Sequence, residues 1–117
     1  MLAVDDEPML GAVIQRLLGQ DHDMTVVTSA VQAVRLINDG QHFDIILSDL
    51  MMPEMTGMDL YDELKQSTPD QADKFIFMSG GAFTDRSRAF LARSSNEVIE
   101  KPFKGAELRQ VVSRFLQ

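Results

Sequence analysis

The chain has 117 residues, 44% of them hydrophobic and 25% charged, with no cysteine and a net charge of −7. That length holds one core and leaves no room for a second domain of ordinary size, and the apolar share excludes disorder. The missing thiols exclude a disulfide scaffold, thiol catalysis and a thiolate zinc site. No apolar run reaches the roughly 20 residues of a membrane helix and no signal peptide opens the chain, so a cytoplasmic protein is expected.

Leu2-Ala3-Val4 is a short apolar run ending in Asp5-Asp6. Met9, Leu10, Val13, Ile14, Leu17 and Leu18 then recur at helical spacing. Met24 to Thr28 is strand-like, and Ser29 with Gln32 reads as a capping box that opens a second helix, which Gly40 can end. Asp44 to Ser48 is a strand ending in Asp49. Leu60, Tyr61 and Leu64 predict a helix after Gly57 that stops near Thr68-Pro69, with Tyr61 in the core. Phe75 to Met78 is a buried-type strand ending in Ser79-Gly80-Gly81. A weaker helix runs from about Thr84 to Arg93. Val98-Ile99 is a short strand ending in Glu100-Lys101-Pro102, and Leu108, Val111, Val112 and Phe115 mark an amphipathic last helix. Five strands alternating with five helices predict a doubly wound α/β fold with a parallel five-stranded sheet. Near-continuous apolar runs fit strands covered on both faces.

The charge is uneven. Residues 1–73 carry a net −11 and residues 74–117 a net +4. Negative charge overall argues against nonspecific nucleic-acid binding. Arg86, Arg88, Arg93, Lys104, Arg109 and Arg114 on or near the last two helices either face an acidic partner or a second copy, or are simply solvated.

The chemistry lies at the strand ends. Parallel strands put Asp5, Asp6, Asp49, Ser79 and Lys101 on one edge, where such sheets bind ligands. Each alone has a bland reading: Asp5-Asp6 as a helix cap, Asp49 as a turn residue, Ser79-Gly80-Gly81 as a loop, Lys101-Pro102 as a turn. Together they form a set. Three carboxylates raise one another's pKa, which a hard divalent cation relieves; one carboxylate can instead act as a nucleophile toward phosphorus. An ammonium and a hydroxyl would then neutralise and bind a phosphoryl group, and Gly80 and Gly81 would let backbone N–H groups approach it.

At Val4-Asp5-Asp6-Glu7-Pro8, Ser48-Asp49-Leu50-Met51-Met52-Pro53-Glu54-Met55-Thr56-Gly57, Met78-Ser79-Gly80-Gly81 and Glu100-Lys101-Pro102-Phe103 the sequence resembles a response-regulator receiver domain of two-component signalling, over essentially its whole length. The resemblance implies a flavodoxin-like fold with strand order 2-1-3-4-5. It implies Asp49 as phospho-acceptor from a phosphohistidine, with Asp5, Asp6, Asp49 and the Met51 carbonyl holding Mg²⁺ or Mn²⁺. It implies Ser79 and Lys101 on the phosphoryl group and a cis bond before Pro102. Expected partners are a histidine kinase or histidine phosphotransfer domain and a second receiver, with no nucleic acid and no membrane. Slow autodephosphorylation is expected rather than enzymatic turnover.

One departure matters. Many receivers carry Tyr or Phe three residues before the lysine, where this chain has Val98, which puts the usual aromatic switch in doubt. Ser79-Gly80-Gly81 and Arg93-Ser94-Ser95-Asn96 look more like receivers of hybrid sensor histidine kinases. Residues 1–117 are therefore expected to be a single receiver excised from a longer protein, with no output domain. The alternatives are a haloacid-dehalogenase-type phosphatase, which wants an acid where Met51 stands, and a degenerate receiver acting as a binding module. A flavin-binding protein is disfavoured, because no phosphate-cradling loop follows the first strand. His22 and His42 read as surface residues, with an Asp21-His22-Asp23 metal site as the weaker reading.

Overall fold

The computed structural model describes residues 1–80 and 84–117; the expected backbone role of Gly81 lies outside them. The elements run β1 Leu2–Val4, α1 Pro8–Leu18, β2 Thr25–Val27, α2 Ala30–Asn38, β3 Ile46–Asp49, α3 Gly57–Ser67, α4 Pro69–Ala72, β4 Phe75–Ser79, α5 Asp85–Arg93, β5 Glu97–Glu100 and α6 Gly105–Phe115. The sheet is parallel throughout, in the order β2-β1-β3-β4-β5.

Alternation along each strand sorts side chains to two faces. Leu2, Val4, Ile46, Phe75 and Phe77 pack with Ala33 and Ile37 of α2, Leu60 and Leu64 of α3 and Phe90 of α5. Ala3, Ile45, Leu47, Ile76 and Met78 pack on the other side with Ile14 and Leu18 of α1 and Leu108 and Val112 of α6. Tyr61 belongs to the first cluster as expected, meeting the rings of Phe75, Phe77 and Phe90 edge-on at 5.6, 5.9 and 5.3 Å.

Six helices are described where the sequence predicts five. Thr68-Pro69 does end α3, but Pro69 then starts a further turn, α4, because proline is pre-set for a first helical position. The turn seats the buried Gln71, whose amide clasps the main chain of Phe43 at both groups: Oε1 accepts from Phe43 N (2.9 Å) and Nε2 donates to Phe43 O (3.2 Å). The expected capping box at Ser29 is half formed. Gln32 N donates to Ser29 Oγ (3.2 Å), but the Gln32 side chain accepts from Thr28 N (3.0 Å), one residue earlier than a box requires. Complete boxes form instead at Thr56–Asp59 and Thr84–Ser87. Gly40, at φ 99°, follows the end of α2 in the left-handed conformation that favours glycine. No helix among the described residues is long and apolar enough to cross a membrane.

Candidate phosphoacceptor site

The register of the sheet fixes the site. Asp49 ends β3 opposite Met78, and Ser79 ends β4 opposite Glu100, so Asp49, Ser79 and the Lys101 that follows β5 leave the sheet at one edge. Asp5 N donates to Val27 O at the same edge (3.2 Å), and Lys101 N donates to Ser79 O (2.7 Å). The Lys101–Pro102 bond is cis, as the resemblance implies.

Carboxylate oxygens of Asp5, Asp6 and Asp49 lie within 4.8 Å of one another. Asp5 is 1% exposed and Asp49 6%, whereas Asp6 faces solvent. Lys101 Nζ bridges two of the three, donating to Asp5 Oδ2 (2.9 Å) and Asp49 Oδ2 (3.1 Å). Asp5 Oδ1 accepts from Glu7 N (2.8 Å), so both Asp5 oxygens are engaged; Asp49 Oδ1 has a longer bond from Met51 N (3.4 Å). Burial pushes the Asp49 carboxyl above the ordinary carboxylate range; Lys101 opposes this and the Asp5 charge adds to it. Burial is also the largest single influence on Lys101 and pulls it down, but Asp5 and Asp49 together outweigh it and hold the ammonium above its ordinary value.

The loop after Asp49 is compact. Leu50 N donates to Met78 O (2.9 Å), and Gly57 N returns to Leu50 O (3.1 Å). Gly57 lies so close to the Asp49 carbonyl that a Cβ there would overlap it. Glu54 takes a left-handed φ of 67° within the loop. Ser79 is buried at the end of β4, and Gly80 is exposed beyond it.

Such a crevice, with three carboxylates, two of them bridged by one ammonium, at the carboxyl ends of a 2-1-3-4-5 sheet, has a known counterpart. A sequence model of the response regulator receiver domain matches residues 1–113. The chain is a member of that family. A two-component response regulator of rice (Oryza sativa subsp. japonica) is 30% identical over all of this receiver, which spans 56% of that protein's length. The sensor kinase CckA of Brucella abortus is also 30% identical over the whole receiver, which corresponds to 12% of that kinase. Among solved structures, the receiver domain of a sensor histidine kinase from Pseudomonas aeruginosa PAO1, with a magnesium ion coordinated in its active-site cleft, is 28% identical at a TM-score of 0.83, covering 98% of this chain and 94% of that one.

Other residues singled out from the sequence fall elsewhere. Val98 is half-buried against the cluster that holds Phe77 of β4 and Phe90 of α5. Among the described residues, three of the basic side chains pair with carboxylates, Arg86 with Asp59 (2.6 Å), Arg114 with Glu97 (3.0 Å) and, more distantly, Arg93 with Asp62 (4.0 Å), and Arg109 Nε donates to Leu17 O (3.4 Å). Arg86, and then the Thr56 N–H, hold the Asp59 carboxyl below the ordinary carboxylate range. His42 is exposed and His22 half-buried. Sequence reasoning missed a groove of about 580 Å³ beside Lys101, lined by Leu10, Val13 and Leu17 of α1 and by Phe103. The helical stripe of α1 was legible, but spacing alone does not show that its half-buried flank of Leu10, Val13 and Leu17 lines a groove.

Proposed function

We propose that this receiver accepts a phosphoryl group from a partner's phosphohistidine onto Asp49, with Asp5, Asp6, Asp49 and the Met51 carbonyl holding Mg²⁺ or Mn²⁺. The observation that carries the reading is the cluster of three carboxylates within 4.8 Å, two of them bridged by Lys101 Nζ. All the donors are hard oxygens, the chemistry Mg²⁺ takes, and Mg²⁺ binding one or two carboxylates beside a phosphate is its usual protein site. The magnesium in the P. aeruginosa relative supports the same assignment.

The geometry supports Asp49 as the nucleophile. Asp5 has both oxygens engaged and Asp6 is exposed; Asp49 is poorly hydrated and has its Oδ1 held only by a long bond. In the transfer an Asp49 oxygen bonds to phosphorus, the phosphorus–nitrogen bond breaks, and its electron pair stays on the departing imidazole. Lys101, already beside Asp49 Oδ2, binds a phosphoryl oxygen, and the Ser79 hydroxyl donates to another. The bound cation supplies further positive charge against the carboxylates and the phosphoryl oxygens. The product is a slowly hydrolysed acyl phosphate that biases a two-state equilibrium, not a turnover product. The apolar groove next to Lys101 supports docking of the helix that carries the donor histidine. The kinship with sensor kinases supports a place within a hybrid kinase, acting in the cytoplasm, and the complete gene sequence tests it.

The test is incubation with a small-molecule phosphodonor and Mg²⁺, followed by intact mass. Wild type is expected to gain one phosphoryl group and Asp49→Ala none. No gain on wild type, or an equal gain on the variant, refutes the reading.

A further inference from the structure

Asp49 and Ser79 end their strands at the crevice, and the helices next after them at this edge, α3 and α5, open at Thr56 and Thr84, both through capping boxes. At α3, Asp59 N donates to Thr56 Oγ1 (3.1 Å) and Thr56 N donates to Asp59 Oδ2 (3.0 Å). At α5, Ser87 N donates to Thr84 Oγ1 (3.0 Å) and Thr84 N donates to Ser87 Oγ (2.9 Å). The boxes are joined. The second Asp59 oxygen, Oδ1, accepts from Arg86 Nη2 at 2.6 Å, in the first turn of α5. One carboxylate therefore closes the loop after Asp49 and holds the helix after Ser79.

Neither end of this link is redundant. α5 buries only Ser87 and Phe90, so its seat on the body is small and a polar tether at its first turn counts for more than on a deeply packed helix. At the other end, the loop after Asp49 is stitched closed by Gly57 N on Leu50 O and abuts the Asp49 carbonyl. A displacement of Thr56 thus reaches the acceptor's own main chain rather than dissipating in a slack loop.

We infer that Asp59 is a positioning residue that couples the main chain after Asp49 to the position of α5, acting through Arg86. Its functional meaning rests on the phosphoacceptor reading: filling the crevice shifts α5, and the position of α5 tunes the crevice, in equal measure by linkage. The route runs through α3 and needs no aromatic residue at Val98. Both partners are partly exposed, so the coupling is modest, about two- to fivefold.

Amide hydrogen exchange on the full chain without metal tests the link directly. Arg86→Gln is expected to speed exchange at Thr56 and Gly57 about two- to fivefold, although the substitution lies on another helix. Arg86→Lys should restore most of the protection. Asp59→Asn keeps a weaker acceptor for Thr56 N but loses the charge facing Arg86, so the double variant with Arg86→Gln should speed exchange by clearly less than the two single effects combined. Unchanged exchange over residues 51–57 in Arg86→Gln, or additive effects in the double variant, overturns the inference. A second arm adds Mg²⁺ and beryllofluoride as a phosphoryl mimic: wild type should change its α5 protection, and Arg86→Gln should change it less. An equal change in both overturns the inference. Failure of beryllofluoride to bind wild type would instead refute the phosphoacceptor reading, leaving the metal-free exchange to decide the coupling.

Discussion

Replacing Lys101 by Met removes the one cation that bridges Asp5 and Asp49 while keeping an apolar stem of similar length. Carboxylates at most 4.8 Å apart repel by at least about 3.5 kcal/mol per ionised pair at an effective dielectric near 20, and each Lys101 contact supplies about 5.5 kcal/mol of gross attraction. Part of that attraction is offset by the cost of burying the ammonium on a side chain only 17% exposed, so the net loss falls to about 2–4 kcal/mol. For a domain of this size that corresponds to a fall in Tm of roughly 10 °C. Thermal unfolding in chelator, then in rising Mg²⁺, is the assay. A ligand at a hundred times its dissociation constant adds about 2.7 kcal/mol. Mg²⁺ should stabilise Lys101→Met more than wild type, because the cation then takes over the neutralisation the ammonium supplied. A variant as stable as wild type in chelator, or a gap that Mg²⁺ does not narrow, would refute the electrostatic account of the crevice.

Asp49→Asn tests the same crevice through pH. Because burial holds the Asp49 carboxyl above its ordinary value, its contribution favours the fold at pH below the ordinary carboxylate value and is withdrawn as pH rises through the raised one. In chelator the Asn variant should therefore match or exceed wild type in urea midpoint at neutral pH and lose its advantage toward pH 4; lower stability than wild type at neutral pH would contradict this. Gly57→Ala should cost about 2–3 kcal/mol and slow phosphorylation, since its Cβ would press on the Asp49 carbonyl; denaturant titration and the mass assay check both. Gln71→Leu should cost about 2–3 kcal/mol by stranding the Phe43 N–H and carbonyl, yet leave the phosphorylation rate of the folded protein unchanged.

Much of the molecule was legible in the sequence because local patterns report local physics. Alternating apolar runs and helical stripes located every strand, and parallel topology alone sends Asp5, Asp6, Asp49, Ser79 and Lys101 to one edge. The misreadings occurred where two local rules compete or a partner lies far along the chain. Pro69 both stops one helix and starts another, so α4 was missed. Gln32 had two nearby donors and took the one at Thr28. The clasp of Gln71 on Phe43 and the bond of Arg86 to Asp59 span 28 and 27 residues, and no periodicity encodes such a pairing.

The sequence by itself determined the sheet, its two apolar faces and the set of groups at its edge, because strand direction and side-chain alternation are properties of the chain. Tertiary structure alone decided which oxygens Lys101 bridges, how little water reaches Asp49, and that one carboxylate at Asp59 both caps α3 and holds Arg86 of α5. Those depend on ångström-scale distances between segments that only packing brings together.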